Sequence, residues 1–275
     1  MVAMQAPPLS PSDIESIVAR LYRATGATAF FDEPTVRYAD AADPFFQTFK
    51  TVIGPFHRTP QEALERRFPG ATARSVVSWV LPVREDIRRA NRRQTDIPAE
   101  PWAAMRSFGE VANSNMKRQL CRVLQQKGWT ATSPHEDQVD DGLDFAKCVD
   151  KGSFWSERHV AFVAGLGTFG LSGGLITEHG IAMRLGSVVT DLPLPATPRP
   201  YGDDPFGWCT RCGACARRCP GGSIGMTPEA RDKTKCVRHI MDHVVPGRED
   251  TYGWMDLSLG CGLCQTDVPC EFHRP

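Results

Sequence analysis

Cys209-Thr-Arg-Cys212-Gly-Ala-Cys215-Ala-Arg-Arg-Cys219-Pro220 sets three thiols at three-residue steps, a fourth four residues on, and a proline behind it. Cys236 follows alone, then Cys261-Gly-Leu-Cys264 and Cys270, so eight of the ten cysteines fall in the last seventy residues. Eight thiolates are what two four-iron clusters require at four each, and in two-cluster ferredoxins the fourth cysteine of such a run ligates the other cluster. Structural zinc sites more often set two C-x2-C pairs across a loop. Disulfide scaffolds belong to small secreted domains. The spacing therefore predicts two [4Fe–4S] clusters in a protein that handles electrons.

Composition narrows the setting. A chain of 275 residues can bury a sizeable core. Its 32 basic residues balance 32 acidic ones, so no global field draws it to nucleic acid or anionic lipid, and nucleic acid is not an expected partner. The stretch from Met1 to Pro8 has neither the basic nor the apolar region of a signal peptide. No apolar run reaches the roughly 18 residues that span a bilayer. The expected compartment is the cytoplasm, with no membrane partner.

Leu192 to Gly207 carries five prolines and two glycines, which bar a helix or interior strand. It reads as a connector, dividing the chain into residues 1–200 and 201–275. Upstream, helices and strands alternate in an α/β layer arrangement. Ser12-Asp-Ile-Glu15 resembles a capping box ahead of Ile14, Ile17, Val18 and Leu21 at helical spacing, with Gly26 as the stop. Strands are expected at Ala27–Phe31, at Ser75–Leu81, at Trp129–Thr132, at Leu175–Thr177 and at Arg184–Thr190. Helices are expected over Trp102–Lys127 and around Glu157–Ala164.

Gly165-Leu-Gly-Thr-Phe-Gly170 matches G-x-G-x-x-G, with Asp191 downstream. A dinucleotide fingerprint needs a strand entering the glycines and a helix leaving them. Here the entry, Ser156 to Ala164, looks helical, and Leu171-Ser-Gly-Gly174 is a poor first helical turn. The match reads as a loop that needs glycine backbone, not as a nicotinamide site.

Glu157-Arg158, the glycine loop, Gly174-Leu-Ile-Thr177, then Arg184-Leu-Gly-Ser-Val-Val-Thr-Asp-Leu-Pro-Leu-Pro195 and the cysteine region follow one another in an order that resembles the epoxyqueuosine reductase and reductive dehalogenase superfamily. The resemblance covers roughly residues 75 to 270 and implies a mixed α/β (α+β) fold. A nitroreductase-like cobalamin-binding domain would be followed by a bacterial-ferredoxin-like two-cluster domain. It also implies the ligand sets: Cys209, Cys212, Cys215 and Cys270 for one cluster, and Cys219, Cys236, Cys261 and Cys264 for the other. The second cysteine group departs from the family's C-x2-C-x3-C-P, reading Cys264-x5-Cys270-Glu271. The family's aromatic-rich stretch before the glycine loop and its C-terminal extension toward tRNA are not recognisable.

The chemistry implied by that resemblance is a cytosolic iron–sulfur reductase. Single electrons from a ferredoxin or flavodoxin would pass through the clusters to a base-off cobalamin, which would reduce a small molecule or modified nucleoside. No D-x-H-x-x-G motif is present, so a histidine lower ligand is not indicated. Cobalamin contacts are expected from Gly165, Gly167, Gly170, Gly173, Gly174, Thr190 and Asp191. Asp150, in a Val-Asp step ahead of Glu157-Arg158, is the matching acid if one inserted residue is allowed; Tyr201 and Tyr252 are other donors. The alternative reading is a non-catalytic electron-transfer module, or a reductase of a partner protein's corrinoid. Elsewhere the expectations are structural. Arg84, Arg88, Arg89, Arg92 and Arg93, interleaved with Glu85 and Asp86, read as a solvated helix face, Cys121 as a core residue, and His239 and His243 as neighbours of a cluster.

Overall fold

In the computed structural model the described residues are 9–140, 153–248 and 260–275. The first helix, α1 (Pro11–Ala24), starts two residues earlier than its sequence suggests. Ser10, not Ser12, is the N-cap, its hydroxyl accepting from the Asp13 amide while the Asp13 carboxylate accepts from the Ser10 amide. Ala27–Ala29 is a 3₁₀ turn rather than a strand, because Gly26 enters it at φ +81 and turns the chain. The strand comes later, as β1 (Thr35–Asp40). Helices α2 (Phe45–Val52) and α3 (Pro60–Arg67) lead to β2 (Ser75–Pro82), then α4 (Glu85–Arg92) and the long α5 (Glu100–Gln126). Short β3 (Ala131–Thr132), α6 (Pro134–Asp140) and α7 (Glu157–Val163) follow. The glycine loop is a small hairpin, β4 (Gly167–Phe169) on β5 (Leu175–Thr177), and β6 (Met183–Thr190) completes the main sheet.

That sheet has the order β1-β2-β6-β3 and is antiparallel throughout. β2 is buried on both faces, which is why it reads as a continuous apolar run instead of an alternating one. Val77, Trp79 and Leu81 face α1 and α5, whereas Val76 and Val80 face the layer that holds α2, α3 and α7. Gly186 on β6 leaves room for the Trp79 ring of β2 and for Asn113 of α5: a Cβ there would stand 2.5 Å from the ring and 2.9 Å from Asn113 Oδ1. Asn113 fixes that packing, accepting from Trp79 Nε1 at 3.1 Å and donating to the Leu185 carbonyl at 2.9 Å.

The cysteine-rich segment docks on the corner between α4 and α5. Asn91, fully buried, donates to the Cys261 carbonyl and to Thr266 Oγ1, both at 3.1 Å, and Trp102 Nε1 donates to the Gly260 carbonyl at 3.0 Å. Arg218 donates back to the carbonyls of Gln94 and Thr266. Of the arginines around α4, Arg89 and Arg93 are exposed as a solvated face requires, but Arg88 and Arg92 are not. Arg88 and Arg92 grip Glu271, which is 1% exposed, at 3.3 and 2.7 Å, and Arg88 itself is 9% exposed. A buried carboxylate requires such partners, so the helix is a clamp on the end of the cysteine segment.

Candidate functional site: two thiol groups and a charged cavity

The run from Cys209 winds through two residues with positive φ, Arg211 (φ 54) and Gly213 (φ 71), before the single helical turn Ala214–Arg217. Cys261-Gly262-Leu263-Cys264 repeats the pattern, with Gly262 at φ 63 and a 3₁₀ turn after it. In both loops the left-handed residue reverses the chain so that cysteines on either side converge. Gly262 has a second reason to be glycine, since a Cβ would lie 2.1 Å from the Trp102 ring.

The eight thiols form two groups. Cys209, Cys212 and Cys215 lie with Cys270 around a nest of about 20 Å³ under the β4–β5 hairpin. Burial and then the neighbouring Cys215 charge push the Cys270 thiol up to about 12. Cys219, Cys236, Cys261 and Cys264 make the second group. Burial followed by the charges of Cys261, Cys236 and Cys219 drives Cys264 well above its ordinary value, and burial raises Cys261 to about 11. Four buried thiolates cannot share a site unless a cationic centre joins them. Among the described residues the single set of three potential ligands whose donor atoms all fall within 4.8 Å of one another is Glu110, His135 and Glu136. The sulfurs are thus spread wider than the roughly 3.8 Å that four ligands around one tetrahedral zinc at about 2.3 Å would show. The donor set and its spread fit a multi-iron core.

The longer Cys264–Cys270 loop is accommodated by Asp267 at φ 56, whose amide donates to the Glu271 carboxylate at 2.8 Å. Beyond it, Ile181 and Ala182 donate to the carbonyls of Cys270 and Glu271, a short ladder that seats the last cysteine.

The inner group opens on a cavity of about 480 Å³, within the range of cofactor and ligand sites. Cys236, Cys261 and Cys264 line it together with Glu110 of α5, Glu157 of α7 and Arg184 of β6. Beside the two carboxylates lies Lys117, 0% exposed, with Glu136 at 2.9 Å, Glu110 at 3.4 Å and Glu157 at 3.9 Å. Burial alone would raise Glu110, but Arg184 and Lys117 outweigh it and hold the carboxyl near 2. Glu157 goes the other way. Its burial dominates, Lys117 opposes only in part, and its pKa is raised. Its Oε2 accepts from Ser187 at 2.5 Å, while Oε1 is buried without a hydrogen-bond partner. A raised carboxyl with a free oxygen at a cavity wall has the form of a general acid. Glu157 was legible in sequence only as half of Glu-Arg; the missed signal was Lys117 on the apolar stripe of α5, which demands buried carboxylates.

The expected site residues separate. Gly174 lines the cavity. Gly173 contacts Arg158, which donates to its carbonyl. Gly170 lines the outer thiol nest. Gly167 pairs in the hairpin, and Gly165 packs against the Pro198 carbonyl of the connector. Thr190 and Asp191 are not brought to the cavity. They sit at the far end of β6 from Met183 and Arg184, where Thr190 Oγ1 donates to the Thr130 carbonyl and Asp191 accepts from the Thr130 amide. Tyr201 packs under α7, donating to the Phe162 carbonyl. Asp150 and Tyr252 lie outside the described residues. His239 binds the Asp96 carbonyl at 2.9 Å, and Cys121 is buried in the core.

No family model matches the chain. An epoxyqueuosine reductase from Salmonella typhimurium is 26% identical over 199 residues, covering 71% of this chain and 48% of that protein. The chain therefore spans about half the length of that relative, and about a third of two others of the same name. A solved epoxyqueuosine reductase with a tRNA-Tyr epoxyqueuosine-modified stem loop superposes with TM-score 0.50 at 19% identity, over 94% of this chain and 66% of that one. A catabolic reductive dehalogenase in complex with 3-bromo-4-hydroxybenzoic acid gives TM-score 0.55 at 14% identity, over 96% of this chain and 36% of that one. These structures share the fold, the named relatives are reductases, and the similarities support a place for the chain near the epoxyqueuosine reductases and reductive dehalogenases.

Proposed function

We propose that the chain is an iron–sulfur, corrinoid-dependent reductase whose cavity is the reaction site. The observation that carries this reading is that three inner thiols and a raised carboxyl, Glu157, line the same 480 Å³ cavity. Cys209, Cys212, Cys215 and Cys270 would hold one [4Fe–4S] cluster, and Cys219, Cys236, Cys261 and Cys264 the other. When bound, the clusters supply single electrons at low potential and the base-off cobalamin a strongly reducing metal centre. The chain's own residues would exclude water, through Trp102 and Trp155, and deliver a proton. Asp150 is the acid the resemblance supplies. Glu157 Oε1 is a second source, and Lys117 stabilises the carboxylate left behind. Residues 1–200 would hold the corrinoid and 201–275 the clusters, fed by a ferredoxin or flavodoxin.

The substrate is proposed as a small molecule or modified nucleoside. Balanced charge argues against tRNA as the main partner; the stem loop bound by the neighbour makes a gel shift with such a stem loop the direct check. Among the described residues no helix is long and apolar enough to cross a membrane, and the reading is of a cytoplasmic enzyme. The main test is anaerobic protein, which should carry about eight irons and eight labile sulfides and retain added cobalamin, base-off by its visible spectrum, through gel filtration. Intact clusters without retained cobalamin would replace the reductase with an electron-transfer module. Colourless protein holding zinc would end both.

A further inference from the structure

Two guanidiniums meet at Gly173, between the cavity-lining Ser172 and Gly174. Arg158, in the first turn of α7, donates through Nη1 to the Gly173 carbonyl. Arg231 reaches the same residue from the cysteine-rich segment: a Cβ at Gly173 would stand 2.9 Å from Arg231 Nη1 and 3.1 Å from its Cζ. Gly173, at φ +69, is what admits the second side chain. Both arginines line the cavity.

Elsewhere the chain matches its half-buried arginines with carboxylates: Arg88 and Arg92 with Glu271, Arg184 with Glu110, Arg199 with Asp43. Among the described residues neither Arg158 nor Arg231 has a carboxylate within 4.0 Å. The carboxylates of the cavity are already engaged, Glu110 by Arg184 and Glu157 by Ser187. The surroundings add positive charge: burial, followed by the charges of Arg158 and Arg231, lowers the pKa of nearby Lys233. Burial, followed by the charge of Arg231, brings Arg158 down to about 10. Two like charges held together at a partly desolvated wall are stabilised when an anion bridges them, and paired guanidinium forks match the oxygens of a phosphate.

We propose that Arg158 and Arg231 form a phosphate-binding subsite in the cavity wall. The proposal rests on the reading of this cavity as the reaction site. The phosphate can belong to the nucleotide loop of a corrinoid or to the substrate, and one set of measurements separates the two.

Anaerobic, cluster-loaded protein is titrated with inorganic phosphate, with cobalamin, and with cobinamide, a corrinoid lacking the nucleotide loop. Arg158→Gln and Arg231→Gln are compared with the parent, iron content and melting temperature serving as the check on folding. Phosphate affinity should fall at least about tenfold in either variant, as expected for loss of a charge-assisted bidentate contact. If cobalamin weakens by a similar factor while cobinamide does not, the subsite holds the corrinoid tail. If both corrinoids are unaffected and only phosphate weakens, it serves the substrate. Unchanged binding of all three overturns the proposal. Parent protein that binds phosphate through these arginines but neither corrinoid would refute the corrinoid reading and leave the subsite standing. Should a glutamine variant lose its fold, Arg158→Lys and Arg231→Lys keep the charge and remove the fork, and the same comparison decides.

Discussion

The two thiol groups are built from one motif and placed in opposite surroundings. In both, a cysteine is followed by a left-handed glycine and a short helical turn. Yet Cys212 of the first group is exposed, beside exposed Arg211 and Arg217, while the second faces the charged cavity through Cys236, Cys261 and Cys264. The same loop chemistry thus gives an outward-facing and an inward-facing centre. On the proposed function this is a direction for electrons, entering at the exposed outer group and leaving through the inner group into the cavity, where Glu157 would supply the proton. The hairpin tip marks the boundary, since Ser172 lines both the outer nest and the cavity.

The sharpest way to break that comparison is to remove one ligand from each group. Cys212→Ala should cost the outer cluster, lowering iron from about eight to about four per chain, and leave cobalamin reduction by a small chemical reductant intact. Cys264→Ala should cost the inner cluster, with at least the same iron loss, and abolish reduction of bound cobalamin by any protein donor. Equal behaviour of the two variants in iron analysis and anaerobic spectroscopy would remove the distinction between an outer and an inner centre.

A second, smaller effect concerns how the outer group is held. Glu271→Gln takes from Arg88 the buried one of its two carboxylate partners, leaving half-exposed Glu85, and breaking such a buried pair destabilises by up to about 3 kcal/mol. Thermal melting should show the loss, and iron should be released first from the outer group. A melting temperature unchanged from the parent would mean that the last cysteine is seated by its backbone ladder alone.

The smallest effect tests the layer that supports α7 and so the inner wall. His57 is fully buried, accepts from the Ser156 amide at 3.1 Å, and is pushed down to about 4 by burial and then by Lys50. Unfolded, it titrates near 6.5, so between those values the unfolded chain binds a proton that the folded chain refuses. The stability it contributes is present above about pH 6.5 and is lost as pH falls toward 4, by roughly 3 kcal/mol at most. His159, lowered to about 3 by burial and Arg158, extends the loss further down. Melting temperature against pH should decline over that window, and His57→Gln should flatten the decline.

How much was legible follows from what each signal needs. The run from Cys209 to Cys219 is plain in the sequence because its spacing is local, whereas the grouping of Cys270 with it came with the resemblance to the family. The apolar run at Ser75–Leu81 and the long pattern of α5 were equally plain, since burial on two faces or one stripe leaves a periodic mark. Thr190 and Asp191 misled because nearness in sequence to the glycine hairpin is not nearness in space; β6 runs about 23 Å from the cavity end to Thr190. The α4 arginines could not be placed without knowing that Glu271, standing where a proline was expected, is buried against them. β1 was missed because Thr-Val-Arg-Tyr-Ala-Asp alternates weakly and lies beyond the turn that Gly26 imposes.

The ladder from Cys270 and Glu271 to Ile181 and Ala182 carries one more consequence. It makes the turn at Cys270 a fastener between the cysteine-rich segment and the main sheet, stitched to the residues immediately before β6. If the thiols hold clusters as proposed, ligation free energy is folding free energy for both parts, because a ligand set that seats Cys270 also closes the edge at Gly180, where a Cβ would stand 2.3 Å from the Glu271 carbonyl oxygen. On the proposed function, iron delivery and completion of the fold become one event, and a chain starved of iron would be left as an unlatched sheet.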